Sequence, residues 1–221
     1  MKLLKLTPSQ RVQGRWLLHL EDGSLLRVGE GEVVSFGLYS GMELPAETLE
    51  ALASAAALAA LREKALNALS RRPMSRKELI QKLTARPWRP TRDSGKPQEP
   101  PATPEQAEAV ADWLEKLGYL NDREFARHVV RHYSAAGYGA GKLRDELYRR
   151  GVPRDLWEEA LEEAADPEEE IDRLIRKKMQ GADPRDRKAL KRASDALARR
   201  GYRWEEIKEG LRRYGAETED D

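Results

Sequence analysis

Few residues of this chain have the types and spacing that enzyme chemistry requires. His128 and His132 stand four residues apart on a predicted helix and could share a metal ion, but the segment lacks the glutamate of an HExxH motif and offers no third ligand. The glycine-rich stretch 137–141 lacks the spacing of a phosphate-binding loop and follows a helix rather than a strand. The absence of cysteine excludes disulfides, thiol nucleophiles and iron–sulfur sites. We therefore predict a protein that is not an enzyme and has no metal or cofactor.

Charge is the most uneven property of the sequence. The 221 residues carry 40 Lys and Arg against 39 Asp and Glu, so the net charge of +1 by itself indicates no polyanionic partner. Residues 62–92 nevertheless hold ten basic residues against two acidic ones, residues 155–172 hold ten acidic and no basic ones, and residues 173–213 hold fifteen basic against six acidic ones. Two positive regions around a negative one could contact a polyanion and a basic protein surface together, although solvated helix faces would give the same pattern.

The first 44 residues differ from the rest of the chain. Residues 15–20 and 24–28 are strand-like segments on either side of an Asp-Gly turn, which predicts a β-hairpin. Residues 33–39 form a short apolar stretch of ambiguous type. No apolar run approaches the ~20 residues of a membrane-spanning helix, and the first six residues are too short for a signal peptide. We expect a cytoplasmic protein with no membrane contact.

From Pro45 onward the strong signals are helical. Pro45 suits the first position of a helix, and apolar residues then recur at steps of three and four. Two capping boxes, Ser75 with Glu78 and Thr103 with Gln106, predict the starts of two further helices. Between these helices lies a segment too rich in proline and polar residues to fold by itself, which we interpret as an inserted mobile loop.

An Arg-Arg-Gly motif recurs at the ends of two predicted helices. Gly151 follows Arg149 and Arg150 as Gly201 follows Arg199 and Arg200, 50 positions later. A short amphipathic helix follows each glycine, the second with Trp204 and Ile207 on its apolar face. The predicted fold is mainly α, with three tandem three-helix repeats in an elongated, curved array and a small N-terminal β-strand region. The predicted divisions are a strand-rich extension 1–44, repeats 45–121, 122–165 and 166–215, a proline-rich loop at about 87–102 within the first repeat, and an acidic tail 216–221.

Three stretches carry a family resemblance: residues 75–83 (SRKELIQKL), 114–126 (LEKLGYLNDREFA) and 139–152 (GAGKLRDELYRRGV). Together they resemble the RecX family, the bacterial regulators of the RecA recombinase, over about residues 60–215. The GYLNDxxFA pattern of residues 118–126 is the most specific part. The proline-rich insertion in the first repeat and a third repeat whose second helix matches loosely depart from the family pattern.

The resemblance implies a non-enzymatic protein that lodges in the groove of the RecA–single-stranded DNA filament. It would act as an inhibitor of RecA, modulating ATPase, strand exchange and coprotease activity in DNA repair and the SOS response, while its acidic stretch pairs with basic protein surface. Cations near helix C-termini also interact favourably with the helix dipole, by ~0.3–1 kcal/mol, so the sequence does not separate structural from binding roles. The candidate filament or DNA contacts are Arg71, Arg72, Arg76, Lys77, Lys82, Arg127, Arg131, Lys142, Arg144, Arg149, Arg150, Lys191, Arg199 and Arg200.

Two other classes of function stay open on the residues alone. The basic clusters would suffice for an independent nucleic-acid-binding module, whose affinity falls steeply with salt. The helical repeats would suffice for a scaffold that binds another protein. On the resemblance, we expect a monomer whose partners are the RecA filament and single-stranded DNA, the DNA being bound directly or through RecA.

Overall fold

The computed structural model describes residues 1–10, 12–85 and 101–217. These residues form three strands, ten α-helices and one short 3-10 turn, which confirms a mainly helical chain with a small N-terminal sheet. The chain divides into two compact units: residues 1–72 with 79–117, and residues 73–78 with the chain from residue 118 onward. The segment predicted as a proline-rich mobile loop lies almost entirely outside the described residues.

The first unit contains the sheet. Strands β1 (Leu3–Pro8), β2 (Arg15–Leu20) and β3 (Leu25–Gly29) pair in that order, and both pairings are antiparallel. The predicted hairpin is confirmed, with the Ser24 N–H donating to Asp22 Oδ1 at 2.9 Å across the turn. Strand β1 is an addition to the prediction. It pairs with β2 along one edge and hydrogen-bonds to residues 40–44 along the other.

Three helices complete the first unit: α1 (Glu30–Ser35), α2 (Ala46–Arg71) and α4 (Pro104–Lys116). Helix α3 (Arg76–Thr84) begins in the second unit and continues in the first. Pro45 proves to be the N-cap of α2 and not its first residue, because its ψ of 152° is extended. The capping box at Thr103 is confirmed, since its hydroxyl accepts the Gln106 N–H at 3.3 Å and its own N–H donates to Gln106 Oε1 at 3.1 Å.

The second unit consists of two groups of helices, each with its own core. The first group is α5 (Asp122–Ala135), α6 (Ala140–Arg149), a 3-10 turn (Arg154–Leu156) and α7 (Trp157–Leu161). The second group is α8 (Pro167–Met179), α9 (Arg187–Arg199) and α10 (Trp204–Glu217). One prediction is wrong: Trp204 is 62% exposed at the start of α10, whereas Ile207 is buried. Within the described residues, no helix has both the length and the apolar character that crossing a bilayer requires.

Candidate functional site

The two Arg-Arg-Gly motifs form equivalent corners in the second unit. The first corner ends α6 and the second ends α9, and the glycine in each has a left-handed backbone, with φ of +70° at Gly151 and +86° at Gly201. A side chain is disfavoured in that conformation, which explains why glycine stands at both positions. Each corner packs against the segment that begins another helix, α3 for the first and α6 for the second.

At the first corner, the peptide carbonyl of Arg150 accepts a 2.5 Å hydrogen bond from Ser75 Oγ. The same hydroxyl accepts the Glu78 N–H at 3.0 Å, so this fully buried serine both caps α3 and holds the corner. The Arg150 guanidinium donates to the Tyr133 hydroxyl at 3.1 Å and lies over the Tyr133 ring, 5.7 Å from its centroid. The aliphatic part of the Lys77 side chain lies against Gly151. Arg150 therefore acts as a structural residue at this corner.

The second corner repeats this arrangement with different residues. The Gly139 N–H donates to the Arg200 carbonyl at 2.9 Å, and the Gly141 N–H donates to the Gly201 carbonyl at 3.0 Å. Arg200 Nη1 in turn donates to the Gly137 carbonyl at 3.0 Å. Its guanidinium lies 5.6 Å from the Tyr138 ring centroid. The second arginine of each motif thus has the same structural role.

The first arginine of each motif is exposed instead. Arg149 has a side chain that is 67% exposed, although its guanidinium reaches Glu146 at 2.5 Å. That contact raises the pKa of Arg149 above its ordinary value, first through the hydrogen bond and then through the charge of Glu146. Arg199 is exposed and makes no ion pair within the described chain. The sequence gives no reason to distinguish the two arginines of a motif. In the structure the first arginine is exposed and the second makes the contacts that hold the corner.

Three other arginines that the sequence predicts as filament or DNA contacts form ion pairs with glutamates of the acidic stretch 155–172. Arg127 contacts Glu159 at 2.5 Å and Glu163 at 3.2 Å, and the hydrogen bond with Glu159 is the main cause of a raised pKa for Arg127. Arg131 contacts Glu163 at 2.6 Å, and Arg144 contacts Glu158 at 3.2 Å. A phosphate would have to displace these carboxylates to reach the arginines.

The same acidic stretch also neutralises cations of α8 and α10. Arg213 contacts Asp172 at 2.8 Å and Glu168 at 3.8 Å, while Arg173 contacts Glu170 at 2.6 Å. Six of its ten acidic side chains are therefore in ion pairs with this chain. Pairing of this stretch with a partner's basic surface stays a prediction; its four other acidic side chains form no ion pair within the described part of the chain.

One continuous positive surface remains on α9. It consists of five exposed cations on the side opposite the buried Ala189, Ala193 and Leu197, with Asp195 as the one acidic residue among them. None of the five has a carboxylate partner in the described part of the chain. We call this surface the α9 basic face: Arg187, Lys188, Lys191, Arg192 and Arg199.

Only two members of the α9 basic face, Lys191 and Arg199, were predicted from the sequence. Lys188, Arg192 and Arg199 recur at steps of four and seven residues, the spacing of one helix face, and this signal could have found the others. Counting charge over a window of residues does not detect such a face, because it ignores both helix geometry and pairing.

The remaining residues predicted as filament or DNA contacts lie on several different elements. Arg71, Arg72 and Lys82 are exposed near the ends of α2 and α3 in the first unit, and Lys77 is exposed in the second. Arg76 is half-buried, and its N–H donates to an Asp122 carboxylate oxygen at 2.7 Å. Lys142 Nζ lies 3.9 Å from Glu146 Oε1.

His128 and His132 stack with ring centroids 6.4 Å apart on the exposed side of α5. Among the residues that the structure describes, no three His, Asp or Glu side chains come together as a metal site would need.

Two family models match separate segments of the chain. Residues 62–88 match the family model of the RecX first three-helix domain, and residues 121–161 match that of the second. Proteins named regulatory protein RecX from Escherichia coli (strain K12 / DH10B) and Shigella boydii serotype 18 are each 36% identical over 107 residues. That alignment spans 48% of this chain and 62% of each relative.

Solved structures support the same fold. A crystal structure of a regulatory protein RecX superposes with a TM-score of 0.67 at 21% identity, covering 94% of this chain and 98% of its own. The crystal structure of RecX from Lactobacillus salivarius gives a TM-score of 0.57 at 20% identity, covering 71% of this chain and 96% of its own. These matches, together with the two three-helix domains, confirm the resemblance that the sequence motifs carry.

Proposed function

We propose that the chain is a non-enzymatic regulator of the RecX kind that binds the RecA–single-stranded DNA filament and lowers its activity; the matches to both RecX three-helix domains and to the RecX proteins support this proposal. The α9 basic face makes the contact with DNA phosphates. The division into repeats at residues 45–121, 122–165 and 166–215 is part of the same proposal.

The observation that carries the proposal is the unpaired charge of the α9 basic face. Most arginines of α5 and α6 that were candidates have a carboxylate partner, whereas the α9 cations have none among the described residues. Arg187 and Lys188 occupy the first turn of α9, which contains no acidic residue. Cations in a first turn oppose the helix dipole, so helix stability does not explain their position. Phosphate binding does explain it.

The geometry of α9 suits a phosphate contact. The helix has 13 residues, about 20 Å at 1.5 Å per residue, and its cations follow its whole length. The Arg200–Gly201 corner fixes the end of this helix against the start of α6 through two backbone hydrogen bonds. A rigid row of cations loses less entropy on binding than the same charges on a loop would.

The first test is the single-stranded-DNA-dependent ATPase rate of RecA as the full chain is added below RecA stoichiometry. We expect the rate to fall at a small molar fraction, because one bound regulator then affects many filament subunits. A fall only when the DNA itself is saturated would instead indicate an independent nucleic-acid-binding module. No effect at any concentration would contradict the proposal and leave the protein scaffold as the explanation.

A double charge reversal tests the role of α9 within that function. The variant Lys188→Glu with Arg192→Glu should require a higher concentration to inhibit, and its binding should depend less on salt, by a log–log slope of about 0.7 for each lost phosphate contact. The matched control is Lys177→Glu with Lys178→Glu on α8, which changes the net charge equally at two exposed lysines. Equal loss in both variants would show that overall charge, and not the α9 basic face, determines binding.

A further inference from the structure

The two edges of the sheet differ in whether their outward peptide N–H and C=O groups are hydrogen-bonded within the chain. Along the outer edge of β1, the Leu3 N–H donates to the Met42 carbonyl at 2.8 Å and the Leu6 N–H donates to Ser40 Oγ at 3.0 Å. That edge is therefore covered by the chain itself. The other edge of the sheet belongs to β3, which pairs only with β2 among the described strands.

The hydrogen-bond pattern shows which peptide groups of β3 point outward. The Leu20 N–H donates to the Ser24 carbonyl at 3.0 Å where β2 meets β3. In an antiparallel pair, successive residues of a strand direct their N–H and C=O groups alternately toward the partner strand and away from it. Since Ser24 faces β2, the peptide groups of Leu25 and Arg27 face away from β2. Neither residue has another hydrogen-bond partner in the described part of the chain. β3 thus presents two N–H and two C=O groups in the geometry that a further strand would use.

A groove runs beside this edge, between β3, α2 and the residues around the start of α4, Pro101, Ala102 and Gln106. It encloses about 380 Å³ and is lined on the α2 side largely by alanines, among them Ala53, Ala57 and Ala60. An alanine fills only the space of a methyl group, so larger apolar side chains from a ligand can enter there. An added strand would place every second side chain over these alanines.

The charges along the groove select the kind of ligand. Arg27 and Lys64 both line it, and neither has a carboxylate partner within the described residues. The one acidic residue of the lining, Glu63, is already in an ion pair with Arg15. The groove therefore carries uncompensated positive charge and favours a ligand with carboxylates.

We propose that the edge of β3 is a docking site for an extended acidic segment of a partner protein, which adds to the sheet as a fourth strand. Alternate apolar side chains of that segment pack on the α2 alanines, and its carboxylates pair with Arg27 and Lys64. This surface lies entirely in the first unit and goes beyond the phosphate contact proposed for α9.

The test uses the full chain and a short fluorescent peptide of alternating valine and glutamate, without RecA or DNA. We expect saturable binding by fluorescence anisotropy, together with slower hydrogen exchange at the Leu25 and Arg27 amides. The same peptide with lysine in place of glutamate should bind at least about tenfold more weakly. Because the assay contains neither component of the filament, its result is independent of the regulatory proposal.

Two variants test whether the peptide binds as an added strand or only through charge attraction to the surface. Leu25→Pro removes an outward N–H that the sheet does not use, and proline is tolerated at such an edge position. It should reduce peptide binding at least about tenfold, while the control Leu25→Thr keeps the N–H and binds like the parent chain. Ala60→Leu fills the groove without altering the strand and should also reduce binding. Absence of saturable binding, or equal binding by Leu25→Pro and the parent chain, would overturn the proposal.

Discussion

Replacing Gly201 by alanine should destabilise the second unit more than a left-handed backbone alone accounts for. Gly201 has φ of +86°, and a Cβ there would overlap the Lys142 backbone nitrogen and lie 2.8 Å from the Lys142 Cβ. A side chain in the left-handed region costs about 1–2 kcal/mol. Overpacking against an atom that cannot move freely adds about 1–3 kcal/mol. We expect Gly201→Ala to lower the free energy of unfolding by about 2–5 kcal/mol.

Gly181 provides the matched control, because it has φ of +78° but no atom within 4 Å of the position that an alanine methyl group would occupy. Gly181→Ala should therefore cost only the backbone contribution of about 1–2 kcal/mol. Urea unfolding of the full chains, followed by far-ultraviolet circular dichroism, compares the two midpoints and slopes. The reciprocal variant Gly139→Ala should cost only the overpacking contribution of about 1–3 kcal/mol, since its φ is −81° but its Cβ would lie 2.7 Å from the Gly201 carbonyl oxygen. Equal destabilisation at positions 181 and 201 would refute the close packing of the corner.

Three further expectations follow from the same unit. Arg150→Ala should lower the free energy of unfolding by about 1–2 kcal/mol because its hydrogen bond to Tyr133 is lost, whereas Arg199→Ala, at an exposed side chain with no ion pair in the described chain, should leave the urea midpoint unchanged. Ser75→Ala should cost about 1–2 kcal/mol in urea unfolding, because the buried hydroxyl both caps α3 and donates to the Arg150 carbonyl; no change in midpoint would contradict that double role. Burial, and next the charge of Glu170, raise the pKa of Tyr202 from 10.0 to about 12. The folded chain then keeps a proton that the unfolded chain loses, so this contribution to stability is complete below pH 10.0 and is lost as the pH rises through about 12. Subtracting the phenolate absorbance titration of Tyr202→Phe from that of the parent chain should isolate a component with its midpoint near 12, and a component near 10.0 would show that the ring is solvated.

Local signals in the sequence were sufficient for most of the secondary structure. The Asp-Gly turn and the Thr103 capping box act within a few residues, and both are confirmed. Strand β1 has no comparable local signal, because its partners lie 8 to 17 positions away on one edge and 34 to 39 positions away on the other. Trp204 was placed on the apolar face by its spacing from Ile207, but it stands at the first turn of α10, where the core does not reach it.

The candidate site was harder to predict because pairing is a property of three-dimensional structure. The sequence identifies the repeated arginines but cannot show that Arg150 and Arg200 fold back onto Tyr133 and Tyr138. It also presents the stretch 155–172 as a free block of negative charge. Each ion pair that this stretch makes joins residues at least 14 positions apart or one helical turn apart, and only the folded chain distinguishes these cases.

This internal pairing explains how a chain with a net charge of +1 can present a strongly positive surface. If positive and negative side chains alternated over the surface, their potentials would cancel within a Debye length, and no face would attract phosphate. Here the carboxylates of residues 155–172 lie against arginines of α5, α6, α8 and α10, so cancellation is local to those helices. The five cations of the α9 basic face form no ion pair with these carboxylates in the described part of the chain, and Asp195 is the one acidic residue among them. The acidic stretch therefore supports phosphate binding indirectly: its ion pairs engage arginines of α5, α6, α8 and α10 and leave the α9 basic face without a carboxylate partner among the described residues.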